Sequence, residues 1–327
     1  MLKRANTRRD AKAWAQFWDE EGSGAHIVNT DADAAALRVV WRAFLDAGMS
    51  GRDLVRVADI ACGSAVVAGQ AIEIAGDQGL PIHPICCDYS ASAVAAARGR
   101  KATLSACGVA ADAAVLPFAD QSIDLMVSQY GVEYAGEGAF SEMARVLAPG
   151  GFAQAVVHQR DGVIYNRCRG DAALLSTTIK SSLLRNLFIL LKVNHKSLTL
   201  GRSLPAVAAA DKRFRSAAAT VRAALAKAQE GAARSHVGRL LGDAEQAAHS
   251  WRAYGLDAME RWTGAQQSAL DGFARRMDSM TQAALDEATM TDRAELFRKH
   301  GLTDVSVTPF RPGHHRIGAG WILYGRR

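Results

Sequence analysis

The sequence is poor in cysteine. Five occur in 327 residues, an odd count with no metal-ligand spacing: Cys62, Cys86, Cys87, Cys107 and Cys168. This is too few for a disulfide scaffold, and no Cys/His cluster has the spacing of a zinc site. We therefore expect free thiols in a reducing cytoplasm, and no bound metal.

Long apolar runs are also lacking. No run approaches the ~18 apolar residues that a membrane span needs. The basic N-terminal segment MLKRANTRRD is followed by polar residues, where a secretory signal would have an apolar stretch. We expect neither a membrane span nor a secretory signal, and the predicted location is the cytoplasm.

What is present is the composition of a globular protein, 49% hydrophobic and 22% charged. At ~150 residues per domain, the length predicts about two domains, or one domain with an insertion. The net charge is +6 and the pI about 9.2, a mild basic excess. This composition excludes a disordered or a collagen-like chain.

The pattern of apolar residues changes along the chain. Short β-rich runs at 54–60, 81–87, 122–128 and 152–158 alternate with Ala-rich helical stretches, which is typical of a parallel sheet covered by helices. Helical patterns then follow, including 177–193 and 205–230, before a last helix and two strands. The predicted organisation is an N-terminal helical cap (1–50), an α/β core (51–160), a helical insertion (161–289) and the C-terminal helix and strands (290–327).

Acidic residues recur where the predicted strands end. The stretch VADIACGSAVVAGQAIEIAG (57–76) is a strand ending at Asp59, a small-residue turn and a helix. Small residues allow a ligand to approach the backbone. The next strand ends at Asp88 before a helix that starts with Ser90, and Asp112 precedes a third turn. In an open α/β sheet, ligands bind at this edge.

Together these motifs resemble the class I S-adenosylmethionine-dependent methyltransferases, near the ubiquinone/menaquinone C-methyltransferase-like group. The resemblance rests on DIACGSA, CDYSASAVAAAR, DAAVLPFADQSIDLMVS and EMARVLAPGGF, and covers 54–158 and, more loosely, 290–327. It implies a Rossmann-like α/β fold. The expected sheet has seven mostly parallel strands with an antiparallel last strand, and the large helical insertion precedes the last two strands.

The resemblance also implies S-adenosylmethionine as cofactor, and roles for individual residues. The methionine moiety would face Asp59 and the turn of Ala61, Gly63 and Ala65, while the ribose hydroxyls would bind Asp88, with Tyr89 beside it. Adenine would lie at Asp112 and Ala113, and Ser128, Gln129 and Tyr130 near the sulfonium. Ala61 and Ala65 stand where the family usually has glycine, so we expect Ala65 to reduce cofactor affinity.

Methyl transfer needs a base only when the acceptor loses a proton. The candidate catalytic residues are His158, at the end of a strand, with Tyr130 and Glu133 after the preceding strand. Further candidates are His26, after the aromatic segment of Trp14, Phe17 and Trp18, and the turn residues His314 and His315. The structural alternatives are a hydrogen-bonded strand-end histidine, a glutamate at a helix N-terminus and solvated turn histidines.

The insertion carries the basic excess. Residues 160–240 hold fifteen Lys or Arg and four acids, a difference of +11 that leaves −5 for the remaining residues. Within it, SLLRNLFILLK (182–192) places Leu184, Leu187, Phe188 and Leu191 on one helical face. Three interpretations stay open: a cap that buries this face, a cap that binds an anionic or lipid-like acceptor at a membrane surface, and a nucleic-acid-binding segment.

The sequence thus predicts a methyltransferase acting on a small organic acceptor, hydrophobic or anionic, with the insertion on the acceptor side. An RNA methyltransferase is the alternative enzyme. A methyltransferase-fold scaffold without catalysis is the alternative outside enzymes. Cofactor binding and co-purified nucleic acid discriminate among the three.

Overall fold

The computed structural model describes residues 14, 15, 17, 18, 31–202, 204–313 and 317–327. The chain divides into two compact units. The first comprises residues up to Asn166 and from Ser279 onward, and the second is Arg167–Asp278. The insertion that we predict from the sequence, 161–289, begins a few residues before the second unit and ends about ten residues after it.

The first unit is built on one sheet. Its strands are β1 (Val55–Ile60), β2 (Ile82–Asp88), β3 (Cys107–Ala110), β4 (Ile123–Gln129), β5 (Leu147–His158), β6 (Thr303–Phe310) and β7 (Gly320–Arg326). They lie in the order β3-β2-β1-β4-β5-β7-β6. The pairs among β1 to β5 are parallel, and β7 is antiparallel to both β5 and β6. The predicted seven-stranded, mostly parallel sheet is confirmed.

Helices connect the strands and form the second unit. They are α1 (Asp31–Met49), α2 (Val66–Gln78), α3 (Ala91–Arg98), α4 (Glu137–Val146), α5 (Val163–Ser181), α6 (Leu183–Thr199), α7 (Pro205–Lys227), α8 (Ala232–His249), α9 (Leu256–Ala283) and α10 (Glu287–Lys299). Trp14, Phe17 and Trp18 are also helical. Local chemistry sets several starts: Ser90 Oγ accepts the Ala93 N–H at the start of α3, and Asp286 accepts the Thr289 N–H at the start of α10.

The strands are apolar because helices cover the sheet. β4 is buried along nearly its whole length, and Phe140, Met143 and Phe297 from α4 and α10 pack in the same cluster. β4 also carries one buried carboxylate, Asp124. Asp124 Oδ2 accepts the Arg56 main-chain N–H and Nε–H, both at 2.8 Å. Burial raises the pKa of Asp124, but the bonds and charge of Arg56, with Arg52, outweigh it and hold that pKa below its ordinary value.

The second unit has an apolar core of its own. Leu184, Leu187 and Leu191 of α6 are buried there with residues of α7 and α8. The helix predicted at 177–193 is in fact two helices, since α5 ends at Ser181 and Ser182 adopts a left-handed φ of 55°. The prediction of one continuous helix over 177–193 is therefore wrong.

By length and composition alone, Val163–Thr199 is long and apolar enough to cross a membrane. The expected absence of a membrane span is therefore not confirmed for this stretch, although it contains no uninterrupted run of ~18 apolar residues. Of the most apolar part of that stretch, 44% is buried inside the protein.

Candidate active site

The turn between β1 and α2 has an unusual backbone. Ala61, Gly63 and Ala65 all have left-handed φ angles, of 52°, 49° and 53°. A Cβ at Gly63 would come within 2.8 Å of the Trp18 ring, so this position requires glycine for space as well as for φ. The two alanines hold the same left-handed backbone at a steric cost of about 1–2 kcal/mol each.

Asp59 connects the strand before this turn to the helix after it. Its side chain is buried, and its Oδ2 accepts the N–H of Ala68 in the first turn of α2 at 3.1 Å. Burial raises the pKa of Asp59 well above its ordinary value, and the neighbouring Cys86 adds to the effect. The carboxyl therefore ties the end of β1 to the start of α2.

Asp88 holds the turn from the neighbouring strand. Its Oδ2 accepts the Gly63 N–H and its Oδ1 accepts the Ser90 N–H, both at 2.9 Å. Burial raises the pKa of Asp88, while these backbone N–H groups lower it. A carboxylate oxygen can accept more than one hydrogen bond. Both oxygens can thus still accept hydroxyl groups from a ligand.

The next two strand ends contribute in different ways. Asp112 is exposed and its Oδ1 accepts the Ala114 N–H at 2.9 Å, beside the buried Ala113. Gln129 Oε1 accepts the Trp41 Nε1–H at 2.6 Å. Ser128 is fully buried, and its Oγ accepts the Val132 N–H at 3.1 Å.

These strand ends surround a cavity of about 590 Å³. Of the residues predicted to bind cofactor or to catalyse, it is lined by Asp59, Ala61, Gly63, Asp88, Tyr89, Asp112, Ala113, Gln129, Tyr130 and Glu133. Ala65, Ser128 and His158 do not line it. The volume is in the range of small-molecule and cofactor sites. One edge of the first unit thus collects most of the predicted site.

The cavity wall is acidic and aromatic. Four carboxyl groups line it, and Arg38 is the one Lys or Arg among its described lining residues. Trp14 and Trp18 also line it, so these aromatics are part of the wall as well as of the packing around Phe17. Sequence reasoning missed Trp41, Arg38 and the end of α9, because no motif marks them.

Beside the cavity, Glu133 and His158 form a buried pair. His158 Nδ1 lies 2.6 Å from Glu133 Oε1, and the His158 main-chain N–H donates to the same oxygen at 3.0 Å. The Tyr130 ring stacks on the imidazole, with centroids 4.5 Å apart. His158 thus contacts both other candidate catalytic residues, Glu133 and Tyr130. His26, His314 and His315 lie outside the described residues.

The residues present fit S-adenosylmethionine. Asp88 keeps lone pairs for ribose hydroxyls, Gly63 leaves space beside Trp18, and the acidic wall suits a positively charged sulfonium. No group of three or more His, Cys, Asp or Glu side chains in the described part of the chain is arranged to hold a metal ion.

Comparison with known families points to the same part of the chain. Residues 58–154 match the family model described as a methyltransferase domain. The resemblance to class I S-adenosylmethionine-dependent methyltransferases is thereby confirmed for this region, which contains β1 to β5 and the cavity-lining strand ends.

Individual relatives are similar to part of this chain. Demethylmenaquinone methyltransferase of Beutenbergia cavernae is 32% identical over 46% of this chain and 60% of its own length. "Probable tRNA methyltransferase 9B" of Mus musculus is 35% identical over 29% of this chain and 20% of its own length. The chain thus spans about three fifths of the length of the first of these relatives.

Among solved structures, geranyl diphosphate C-methyltransferase from Streptomyces coelicolor A3(2) is 16% identical, with a TM-score of 0.30. The match covers 37% of this chain and 45% of that one. At this score the likeness supports no statement about function.

Proposed function

We propose that the protein is an S-adenosylmethionine-dependent methyltransferase acting on a small organic acceptor. The observation that carries the proposal is the cavity where Asp59, Asp88 and Asp112, each at or just beyond the end of a parallel strand, surround a turn with three left-handed residues.

Each part of the cofactor has a place in this proposal. Asp88 accepts the ribose hydroxyls, Asp112 and the backbone of Ala113 hold the adenine, and the 61–65 turn faces the methionine moiety. When bound, the cofactor supplies the methyl group of its sulfonium, and the sulfonium becomes a neutral thioether. The protein orients the acceptor in line with that methyl group, and positioning alone can supply much of the rate.

Aromatic side chains support a small, partly apolar acceptor. Trp14, Trp18 and Tyr134 line the cavity together with the buried Tyr130. The Beutenbergia relative is named for a small organic substrate, which supports the same class here. The mouse relative is named for tRNA but matches over only 100 residues, 20% of its own length.

The basic second unit is proposed to contact an anionic lipid surface. Its apolar α6 face is buried in its own core, so that face is not available to a membrane. Leu198 and Leu200, however, are 58% and 48% exposed at the end of α6, beside Lys196 and Arg202. Exposed leucines flanked by cations are typical of interfacial contacts with anionic lipid.

Calorimetric titration of the purified protein with S-adenosylmethionine, S-adenosylhomocysteine and adenosine tests the proposal. We expect both cofactor forms to bind in a 1:1 ratio and adenosine to bind more weakly, because it lacks the methionine moiety. A folded protein that binds neither cofactor form would instead be a scaffold without catalysis. Nucleic acid that co-purifies, and that is methylated when the cofactor is added, would replace the small acceptor with RNA.

A further inference from the structure

Three buried polar atoms without a hydrogen-bond partner belong to one cluster of side chains, of which Tyr130 and Glu133 line the cavity. They are Tyr130 Oη, Glu133 Oε2 and His158 Nε2. Their side chains are in mutual contact through the Glu133–His158 hydrogen bond and the Tyr130–His158 ring stack. Buried polar groups are rarely left unpaired, and each such group calls for an explanation. A cluster of three, beside a cavity, points to a binding position for a polar group.

The two oxygens of Glu133 differ in what they can do. Oε1 already accepts two bonds, from the main-chain N–H and from Nδ1 of His158, at 3.0 and 2.6 Å. Oε2 has no partner, and Glu133 lines the cavity. With its proton on Nδ1, the imidazole fixes the carboxylate so that Oε2 is the free acceptor.

Tyr130 complements this acceptor with a donor. Burial raises the pKa of the phenol far above its ordinary value, and the charges of Glu133 and Asp33 raise it further. Tyr130 is therefore protonated at neutral pH and can donate but cannot act as a base. One free donor and one free carboxylate oxygen on neighbouring residues match a hydroxyl group, which both accepts and donates a hydrogen bond.

We infer, on the basis of the proposed function, that this cluster binds a hydroxyl group of the acceptor and that Glu133 takes its proton. The O–H bond breaks, the proton passes to Glu133 Oε2, and the electron pair stays with the acceptor. That pair forms the bond to the methyl carbon as the methyl–sulfur bond breaks and leaves its electrons on sulfur. Tyr130 donates a hydrogen bond to the same acceptor oxygen. His158 is a positioning residue, because it does not line the cavity and acts through Glu133.

The test uses two probes that differ by one hydroxyl group, 4-methylphenol and toluene. Both are titrated by calorimetry into protein saturated with S-adenosylhomocysteine, at pH 7, where a phenol with a pKa of about 10 is neutral. We expect 4-methylphenol to bind at least ~10-fold more tightly than toluene. Tyr130→Phe removes the donor, and Glu133→Gln places an amide N–H2 donor where the carboxylate oxygen would accept, so each should cut this preference to about 3-fold or less.

Two substitutions at His158 separate positioning from simple packing. His158→Asn keeps an N–H donor near the Nδ1 position and should retain most of the preference for 4-methylphenol. His158→Leu removes the donor and should lose the preference. Tyr324→Phe, on β7 and away from the cavity, is the matched control and should change nothing.

The outcomes distinguish this inference from the proposed function. Unchanged S-adenosylhomocysteine affinity with equal binding of both probes, or with no detectable 4-methylphenol binding, overturns the inference alone. Loss of the preference in both His158 variants overturns the positioning role. A wild-type protein that does not bind S-adenosylhomocysteine overturns the proposed function itself.

Discussion

The two compact units of this protein differ most in their charge and in how that charge is held. The cavity of the first unit collects four carboxyl groups, and Asp59 and Asp88 are fixed there by backbone N–H groups. In the second unit, the stretch 172–210 contains no Asp or Glu but five cations: Lys180, Arg185, Lys192, Lys196 and Arg202.

The carboxyl groups of the first unit and the cations of the second unit therefore act over different distances. Buried carboxylates with fixed hydrogen bonds act at contact distance, where geometry decides what binds. Exposed cations act through a field that salt screens over about 8 Å at physiological ionic strength. Changes in the first unit should therefore affect cofactor binding, and changes in the second unit should affect stability or a surface partner.

The largest effect is expected from the core of the second unit. Leu187→Ala removes a fully buried side chain of α6 and should lower the free energy of unfolding by about 2–5 kcal/mol. Leu198→Ala, the same change at an exposed position of the same helix, should cost less than about 0.5 kcal/mol. Denaturant titration measures both. Equal losses would contradict the assignment of the apolar face to the core.

Neutralising the basic surface tests the second half of the comparison. Lys192, Lys196 and Arg202 changed together to Gln should weaken binding to phosphatidylglycerol-containing vesicles by about 100-fold, at ~1 kcal/mol per cation. The salt dependence should flatten and the S-adenosylmethionine affinity should stay unchanged.

The control neutralises three exposed cations of the first unit, Arg42, Arg98 and Lys101. It should leave vesicle binding nearly intact. If the first triple variant instead loses cofactor affinity while vesicle binding persists, the basic segment belongs to the cofactor site. If neither property changes, the segment is only a solvated exterior.

Asp124 offers a comparison within the first unit, at a carboxylate away from the cavity. Asp124→Asn should lower the free energy of unfolding by about 1–3 kcal/mol at neutral pH, because Arg56 loses its charged partner. Its lowered pKa means that this stabilisation is present above the unfolded-state pKa and is lost as the pH falls through the folded-state pKa. The free energy of unfolding of Asp124→Asn, measured against pH, should fall less steeply at acidic pH than that of the wild type. Asp120→Asn breaks the ion pair of the exposed Asp120 with Arg145, and it should lower the free energy of unfolding less than Asp124→Asn does.

The smallest expected effect is at the left-handed alanine of the turn. Ala65→Gly should raise the free energy of unfolding by about 1 kcal/mol and preserve cofactor affinity, whereas Ala65→Val should lower both, since a β-branched residue disfavours this backbone. Ala219→Gly, on the exposed face of α7, should have the opposite sign, at a cost of about 1 kcal/mol. Thermal unfolding with calorimetry checks the signs, and a destabilising Ala65→Gly would contradict the strained turn.

How far the sequence predicts the site depends on the range of the contacts. Asp59, Asp88 and Asp112 were predictable because each lies at the carboxyl end of a parallel strand or just beyond it. The Trp41–Gln129 hydrogen bond joins residues 88 apart, and no local pattern contains it. Glu133 and His158 were each predictable as candidates, but their 2.6 Å contact depends on the register of β4 and β5.

Local patterns also mislead where a short polar residue satisfies the backbone. Ser128 lies at the end of β4, next to two cavity-lining residues, but its hydroxyl accepts the Val132 N–H instead of facing the cavity. The apolar periodicity through 177–193 likewise continues across Ser182, where the backbone turns left-handed and the helix ends. Periodicity reports burial and does not report such a break.

The most direct measurement of the central claim is the S-adenosylmethionine affinity of Asp88→Ala beside the matched control Asp243→Ala, an exposed aspartate of α8. The strand-end carboxylate should hold the ribose hydroxyls through charged hydrogen bonds of about 1.5–3 kcal/mol each, so its loss should weaken binding at least ~10-fold by calorimetry. Asp243→Ala should bind as the wild type does. A folded Asp88→Ala protein with unchanged affinity would contradict the assignment of this edge of the sheet as the cofactor site.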